Sequence, residues 1–384
     1  MISVVLFAAT RPNLVKIAAL YHALKVDPAF EVEVVYASQH YDDSMSEYLY
    51  KQLELPRRHT RLPLPKNPGA KQMAALTKQF LHYLEENYPD RVIVTGDVNA
   101  TLAAARAAHR AGIPLAHVEA GLRSFDAGMP EEHNRIATDA LADVHFVSEI
   151  SGVRHLLQEG CDPAGIHLVG NVMIDTLARM LPVALSLPWP ESLAAIPPEV
   201  LSGPYFVATL HRPANVDTPD ALGRILHLLR RLASQAPVIF PVHPRTARRL
   251  ETFGLQQDLF TIPNLYAAAP LGYLEFIRLM RDAALMITDS GGIQEESTWL
   301  GVPCLTLRAN TERPATIETG TNVLAGDADQ ETIIRYASDA LAGNWKKGAI
   351  PPLWDGQAAM RIAYLLKTKH SVKYRQRTIT HGVL

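Results

Sequence analysis

The sequence predicts an α/β protein made of two Rossmann-like, doubly wound parallel-sheet domains facing a cleft. The short unbroken apolar run Ala283–Ile287 has the length of a strand buried on both faces. Helical stretches alternate with such runs along most of the chain, the pattern of a parallel sheet covered on each side. Between 181 and 204 the alternation stops, in a stretch holding Pro182, Pro188, Pro190, Pro197, Pro198 and Pro204, and then resumes. A chain of 384 residues has material for two separate cores. The expected domains are 1–180 and 205–356, joined by 181–204, with 357–384 as a C-terminal helix and tail.

Taken in order, Ile2–Ala8 is apolar, lacks the basic leader of a signal peptide and reads as the first strand. Leu14–Val26 is helical, Val32–Ala37 a strand, and Ser44–Leu53 and Lys71–Asn87 are helical again. Strand Arg91–Thr95, helix Ala100–Ala111 and strand Pro114–Val118 follow. Helix Glu131–Leu141 is announced by Pro130, whose fixed φ suits a first helical turn. Val144–Val147 and Ile166–Val169 close this half. The second half runs through strand Tyr205–Thr209, helix Asp220–Ser234, strand Val238–Val242, helix Tyr273–Asp282 and strand Ala283–Ile287. Helix Ile293–Leu300 ends at Gly301, strand Val302–Leu307 follows, and Gln357–Lys367 is the last helix.

Composition narrows the partners. Apolar residues make up 48% of the chain and charged residues 20%, ordinary for a soluble globular protein. A net charge of −2 gives no reason to expect nucleic acid or an acidic membrane surface. No run approaches the ~18 apolar residues of a membrane span. Cys161 and Cys304 stand far apart, outside any metal or redox spacing, which fits a reduced cytoplasmic setting. Zinc-ligand spacing, a Walker lysine loop and a GxGxxG fingerprint are all missing, so no metal site, ATP hydrolysis or nicotinamide chemistry is expected.

The densest signal is Ile287–Ser297, where a strand ends in Ser290-Gly291-Gly292 and a helix opens. Two glycines let backbone approach a ligand, and the first helical N–H groups lack intrahelical partners. With the positive end of the helix dipole they make a site for a phosphate or diphosphate. Glu296, one turn in, stands where a ribose could be held. Glycine turns also serve α/β proteins with no such ligand, so the other strand ends have to decide.

Nearly all of those ends deliver a charged or titratable residue. The first half supplies Arg11 and Lys16, Asp97, Glu119, and Glu131 with Arg135; the second supplies His211-Arg212, His243, the Ser-Gly-Gly turn and Arg313. Charges near buried strand ends are costly unless paired or ligand-bound. Singly, each has a plain reading: Asp97 as a helix cap, His211 or His243 as a core histidine, Phe276 as core on an apolar helix face. Together they suggest a division of labour. The second half holds an anionic nucleotide with Ser290, Gly291, Gly292, Arg313 and His211, while Asp97, Glu119 and Glu131 act on an uncharged group such as a sugar. Neighbouring carboxylates raise one another's proton affinity, so one can serve as acid and another as base.

These motifs, ordered along the chain, resemble the non-hydrolysing UDP-N-acetylglucosamine 2-epimerases. The resemblance rests on Thr10-Arg11-Pro12-Asn13 with Lys16, Gly96-Asp97, His117-Val118-Glu119-Ala120-Gly121-Leu122-Arg123-Ser124 and Pro130-Glu131-Glu132 with Asn134-Arg135. In the second half it rests on His211-Arg212-Pro213, Pro241-Val242-His243-Pro244, Asp289–Glu296 and Thr311-Glu312-Arg313-Pro314. It reaches to Asp355-Gly356-Gln357-Ala358, nearly the whole chain.

The resemblance implies a glycosyltransferase-B-like fold, with the C-terminal helix crossing back to the first domain, and usually a homodimer. It implies reversible conversion of UDP-GlcNAc to UDP-ManNAc without metal or nicotinamide, through anti elimination of UDP to 2-acetamidoglucal and re-addition. A 2-acetamido sugar modified elsewhere and a hydrolysing epimerase are the alternatives. The C2–H is not acidic, so its loss must be coupled to diphosphate departure. Residue by residue, Asp97, Glu119, Glu131 and His211 match catalytic positions. Arg11, Lys16, Arg135, Phe276, Ser290, Gly291, Gly292, Glu296 and Arg313 match positions lining the nucleotide-sugar site. Gln39, His40, Arg212 and His243 match part of a second, activating UDP-GlcNAc site in some relatives. Asn13 and Pro213 stand where many members carry Glu and Arg, the loop Ser124–Met129 is short, and Tyr41-Asp42-Asp43 departs from the activator pattern. Allosteric activation is therefore left open.

Overall fold

The computed structural model describes residues 1–38, 43–56, 59–64 and 69–368; Gln39, His40 and the tail beyond 368 lie outside the described residues. The chain divides into two compact units, Met1–Ala178 with Pro352–Leu384, and Arg179–Pro351.

Unit 1 holds strands β1 (Ile2–Ala8), β2 (Phe30–Ser38), β3 (Thr60–Pro63), β4 (Arg91–Thr95), β5 (Leu115–Val118), β6 (Val144–Val147) and β7 (Ile166–Leu168). They lie in the order β3-β2-β1-β4-β5-β6-β7, each neighbour parallel. Unit 2 holds β8 (Phe206–Thr209), β9 (Val238–Pro241), β10 (Leu265–Ala268), β11 (Leu285–Thr288), β12 (Cys304–Thr306) and β13 (Asn322–Leu324). Their order is β10-β9-β8-β11-β12-β13, again all parallel. Both units are thus doubly wound α/β sheets. The winding reverses between β1 and β4 in one and between β8 and β11 in the other, and ligands of such sheets bind beyond the carboxyl ends of the strands at that point.

The central strands owe their apolar composition to burial on both faces: β4, β5, β6, β9 and β11 are buried at every position. In unit 2 the two-residue period divides the core. Phe206, Ala208, Phe240, Leu285 and Ile287 join Leu222, Leu226 and Leu229 of helix Pro219–Ala233. Tyr205, Val207, Ile239, Met286 and Cys304 join Leu279 and Met280 on the opposite face. Each large side chain so buried stabilises the fold by about 1.5–3 kcal/mol. In unit 1, Val5, Phe7, Val35, Val92 and Val94 pack with Leu76, Phe80 and Leu84 of helix Ala70–Asn87 and the alanines of helix Asn99–Arg110.

Some elements differ from the sequence reading. The first helix begins at Arg11 rather than Leu14, because Thr10 takes the N-cap and Asn13 Oδ1 accepts from its N–H (3.2 Å) and hydroxyl (2.8 Å). Strands β3, β10 and β13 were not expected; they lie at sheet edges, are only three or four residues long and are not buried throughout. Helix Val172–Ser186 runs through Pro182, and Leu193, Ile196 and Val200 of the proline-rich stretch are buried in the core of unit 2. Residues 358–368 form a helix of unit 1, whose first N–H groups, of Ala358 and Ala359, donate to Asp175 at 3.1 and 2.7 Å. Among the described residues no helix is long and apolar enough to cross a membrane.

Candidate active site

In unit 1 the loops after β1, β4 and β5 bring two ion pairs to the point where the winding reverses. Lys16, buried in helix Arg11–Lys25, pairs with buried Glu119, just beyond β5. Arg135, fully buried in helix Pro130–Leu141, pairs with Asp97, just beyond β4. Gly96 joins the two. It has φ +70°, and a Cβ there would stand 3.1 Å from Lys16 Nζ and 3.6 Å from Glu119 Oε2. A Cβ here would crowd the ammonium, and the positive φ itself favours glycine. Glu119 itself has φ +70°, an uncommon backbone for a residue with a Cβ.

The other polar residues of these motifs hold the frame. Asn13 donates to the Thr95 carbonyl at 2.9 Å. Asn134 donates to the Asp97 carbonyl at 3.0 Å and to Asn99 at 2.9 Å. Glu132 accepts from the Ser124 N–H at 2.8 Å and the Phe125 N–H at 3.1 Å, closing the short loop. Glu131 is half-buried in the first turn of helix Pro130–Leu141, one turn from Arg135, and Arg11 is half-buried in the first turn of its helix.

In unit 2 the loops after β8 and β11 meet at Asp289. This buried carboxylate accepts the backbone N–H groups of His211 and Arg212, the Asn215 amide at 3.0 Å, and lies 3.0 Å from His211 Nδ1. Burial pushes its carboxyl up, but the bonds from His211, Asn215 and Arg212 outweigh burial and hold it below the usual range. Ser290 occupies the N-cap position of helix Gly291–Leu300, and its side chain makes no cap bond there. The Arg313 guanidinium lies against that helix start, Nη1 only 2.5 Å from where a Gly291 Cβ would be. Glu295 and Glu312 hold it there, each at 3.1 Å. A cation, a helix start with no side-chain cap and a half-exposed histidine are what a diphosphate requires.

Glu296 is buried in the same helix and accepts from the Tyr273 hydroxyl at 2.9 Å. Burial pushes its carboxyl up to about 8, the Tyr273 bond opposing and the charge of Glu295 adding. Phe276 shares a helix with Tyr273 and is half-buried against the core. The His243 ring lies 4.8 Å from that of His211, and its Nδ1 accepts the Arg245 N–H at 3.1 Å, capping helix Pro244–Thr252.

Within unit 1 the predicted Lys16, Asp97, Glu119 and Arg135 come together around Gly96; within unit 2, His211, Ser290, Gly291 and Arg313 come together around Asp289 and Glu295. Asp289, Glu295, Glu312 and Tyr273 were not singled out from the sequence. For Asp289 a signal was present, an acid directly after a buried strand and before Ser-Gly-Gly. Nothing local marked Tyr273.

A family model described as UDP-N-acetylglucosamine 2-epimerase matches residues 22–367. A Methanocaldococcus jannaschii protein named UDP-N-acetylglucosamine 2-epimerase is 36% identical over 362 residues, 93% of this chain and 96% of its own. A Pseudomonas aeruginosa protein named UDP-2,3-diacetamido-2,3-dideoxy-D-glucuronate 2-epimerase is also 36% identical, over 93% of this chain and 97% of its own. The crystal structure of the M. jannaschii UDP-GlcNAc 2-epimerase in complex with UDP-GlcNAc and UDP matches with a TM-score of 0.86 at 35% identity, covering 96% of this chain and 100% of that one.

Proposed function

The chain belongs to the UDP-N-acetylglucosamine 2-epimerase family, and from that premise we propose that it interconverts UDP-GlcNAc and UDP-ManNAc without hydrolysis. The observation that carries this reading is the pairing of Glu119 with Lys16 and Asp97 with Arg135 around Gly96. Two acids with separate buried cations suit two proton transfers in one catalytic cycle. One carboxylate takes the C2 proton as the C1–O bond breaks and UDP departs, leaving 2-acetamidoglucal. UDP then adds back at C1 while a proton reaches the other face of C2, so nothing is consumed.

Positioned acid–base groups contribute roughly 10²–10⁴-fold, too little alone for so weak an acid. Electrostatic stabilisation of departing UDP by the Gly291–Leu300 helix start, Arg313 and His211 supplies much of the rest. Glu296 is read as the ribose partner, and Arg11 and Phe276 as further substrate contacts. On the same resemblance we read the protein as a cytoplasmic homodimer that supplies surface-polysaccharide precursors.

The test is UDP-GlcNAc in heavy water followed by proton NMR: deuterium enters C2 and the nucleotide sugar stays intact. Stoichiometric free ManNAc and UDP would instead make it a hydrolase. A second reading, a UDP-2-acetamido sugar modified at other carbons, is favoured by the equal identity to the diacetamido-glucuronate enzyme. Faster exchange with that sugar than with UDP-GlcNAc would establish it.

A further inference from the structure

His117 lies on β5 and is fully buried. Its two ring nitrogens meet two acceptors: Nδ1 is 2.6 Å from Asp139 Oδ1, and Nε2 is 2.9 Å from the Gly96 carbonyl oxygen. The ring thus bridges a carboxylate on one side and a backbone carbonyl on the other. Asp139 is held as the anion. Burial pushes its carboxyl up, but His117 and Arg123 outweigh burial and hold it at about 2. Arg123 reaches Asp139 Oδ2 at 2.7 Å and closes on Glu159 through bonds of 2.7 and 2.6 Å. Ion pairs and hydrogen bonds therefore link Glu159, Arg123, Asp139 and His117 in series, and the series ends on one backbone carbonyl.

That carbonyl belongs to the glycine over which Lys16 and Glu119 lie, and the next residue is Asp97. Turning the Gly96–Asp97 peptide would draw Asp97 away from Arg135 and push glycine into the Lys16–Glu119 pair at once. The same hub reaches further. Asp139 accepts the Gly121 N–H at 3.1 Å, which ties down the loop leaving Glu119, and it sits on the helix that carries Arg135.

We propose that His117 is a positioning residue for the epimerisation: its Nε2–H bond to Gly96 sets the placement of Asp97 relative to Glu119, without contact with the sugar. The inference rests on the epimerase reading. Its rival is a buried charge network that only stabilises unit 1.

Two substitutions separate them, because an asparagine amide nitrogen falls near the former Nδ1 and a glutamine amide nitrogen near the former Nε2. His117→Asn keeps the bond to Asp139 and loses Gly96; His117→Gln keeps Gly96 and leaves Asp139 short of a partner. Misplacing reacting groups by about 1 Å can cost about 100-fold. The expected result is a kcat for C2 exchange lowered about 30- to 100-fold in His117→Asn, with KM within about threefold. His117→Gln should stay within about fivefold of wild type while melting lower than His117→Asn. Activity and stability then rank the variants in opposite orders, which a purely structural role does not produce. The inference is overturned if His117→Asn turns over like wild type, if activity follows melting temperature, or if both variants fail to fold. Wild-type protein that exchanges no C2 hydrogen overturns the epimerase reading, and this inference with it.

Discussion

Asp289 Oδ1 lies 3.0 Å from His211 Nδ1, and the same carboxylate takes the His211 backbone N–H at 3.0 and 2.9 Å. A carboxylate bound to both ring and backbone fixes the rotamer and the proton on Nδ1, leaving Nε2 for a ligand. Replacing it with Asn disturbs that tautomer and places one amide against another at Asn215. Asp289→Asn should lower kcat by about 100-fold or more. Steady-state epimerisation checks this, and turnover within a factor of three of wild type would remove the histidine from the mechanism.

Asp97→Asn and Glu131→Gln should each reduce C2 exchange by roughly 10²–10⁴-fold and leave UDP affinity nearly unchanged. The proposed UDP cradle belongs to unit 2, whereas both acids belong to unit 1. Titration calorimetry with UDP beside the heavy-water assay separates the two effects. Parallel loss of binding and exchange would mean that these acids hold the nucleotide rather than move protons.

At Gly291 an added methyl would stand 2.5 Å from Arg313 Nη1 and 2.8 Å from Cζ. Glu295 and Glu312 clamp that guanidinium, so it has little room to retreat. Gly291→Ala should therefore weaken UDP binding about tenfold, the loss of one charge-assisted contact. The fold should be affected much less, since the methyl meets the far end of a side chain rather than backbone. A UDP dissociation constant equal to wild type would contradict this.

Glu296 makes a pH prediction whose sign runs against most carboxylates. Burial holds its folded-state value at about 8, far above an ordinary glutamate. Between roughly 4.5 and 8 the folded chain keeps a proton that the unfolded chain has released, so this group's contribution to stability falls as pH rises through that window. Asp175, also raised by burial, to about 6, acts in the same direction over a lower range. Glu296→Gln removes one titration and keeps an acceptor for Tyr273. Melting curves from pH 5 to 8.5 should show the variant overtaking wild type at the alkaline end; parallel curves would contradict the assignment.

What could be read from the chain follows its physics. Central strands such as β4 and β11 are built on the apolar runs Val92–Val94 and Leu285–Ile287 because both faces are covered, and they stand out at once. Edge strands β3 and β10 are short and only partly buried; Thr60–Pro63 carries no apolar run, and Leu265–Ala268, though apolar, is only 4 residues long. Among site residues, Lys16, Asp97, Glu119, Arg135, His211 and Arg313 were legible as charges or titratable groups at or near strand ends. Some of the residues that hold the frame were not: Tyr273 meets Glu296 from 23 residues away and Asp139 meets His117 from 22. Such pairs are made by tertiary packing and leave no spacing in the sequence.

The left-handed backbone at Glu119 has an energetic consequence as well as a chemical one. Glycine would occupy that conformation without strain, whereas a residue with a Cβ costs of order 1 kcal/mol there. Of two variants lacking the carboxylate, Glu119→Gly should be the sturdier and Glu119→Ala the weaker by about that amount. That strain is what the fold tolerates to hold a carboxylate beside buried Lys16, the group on which the proposed proton transfer depends.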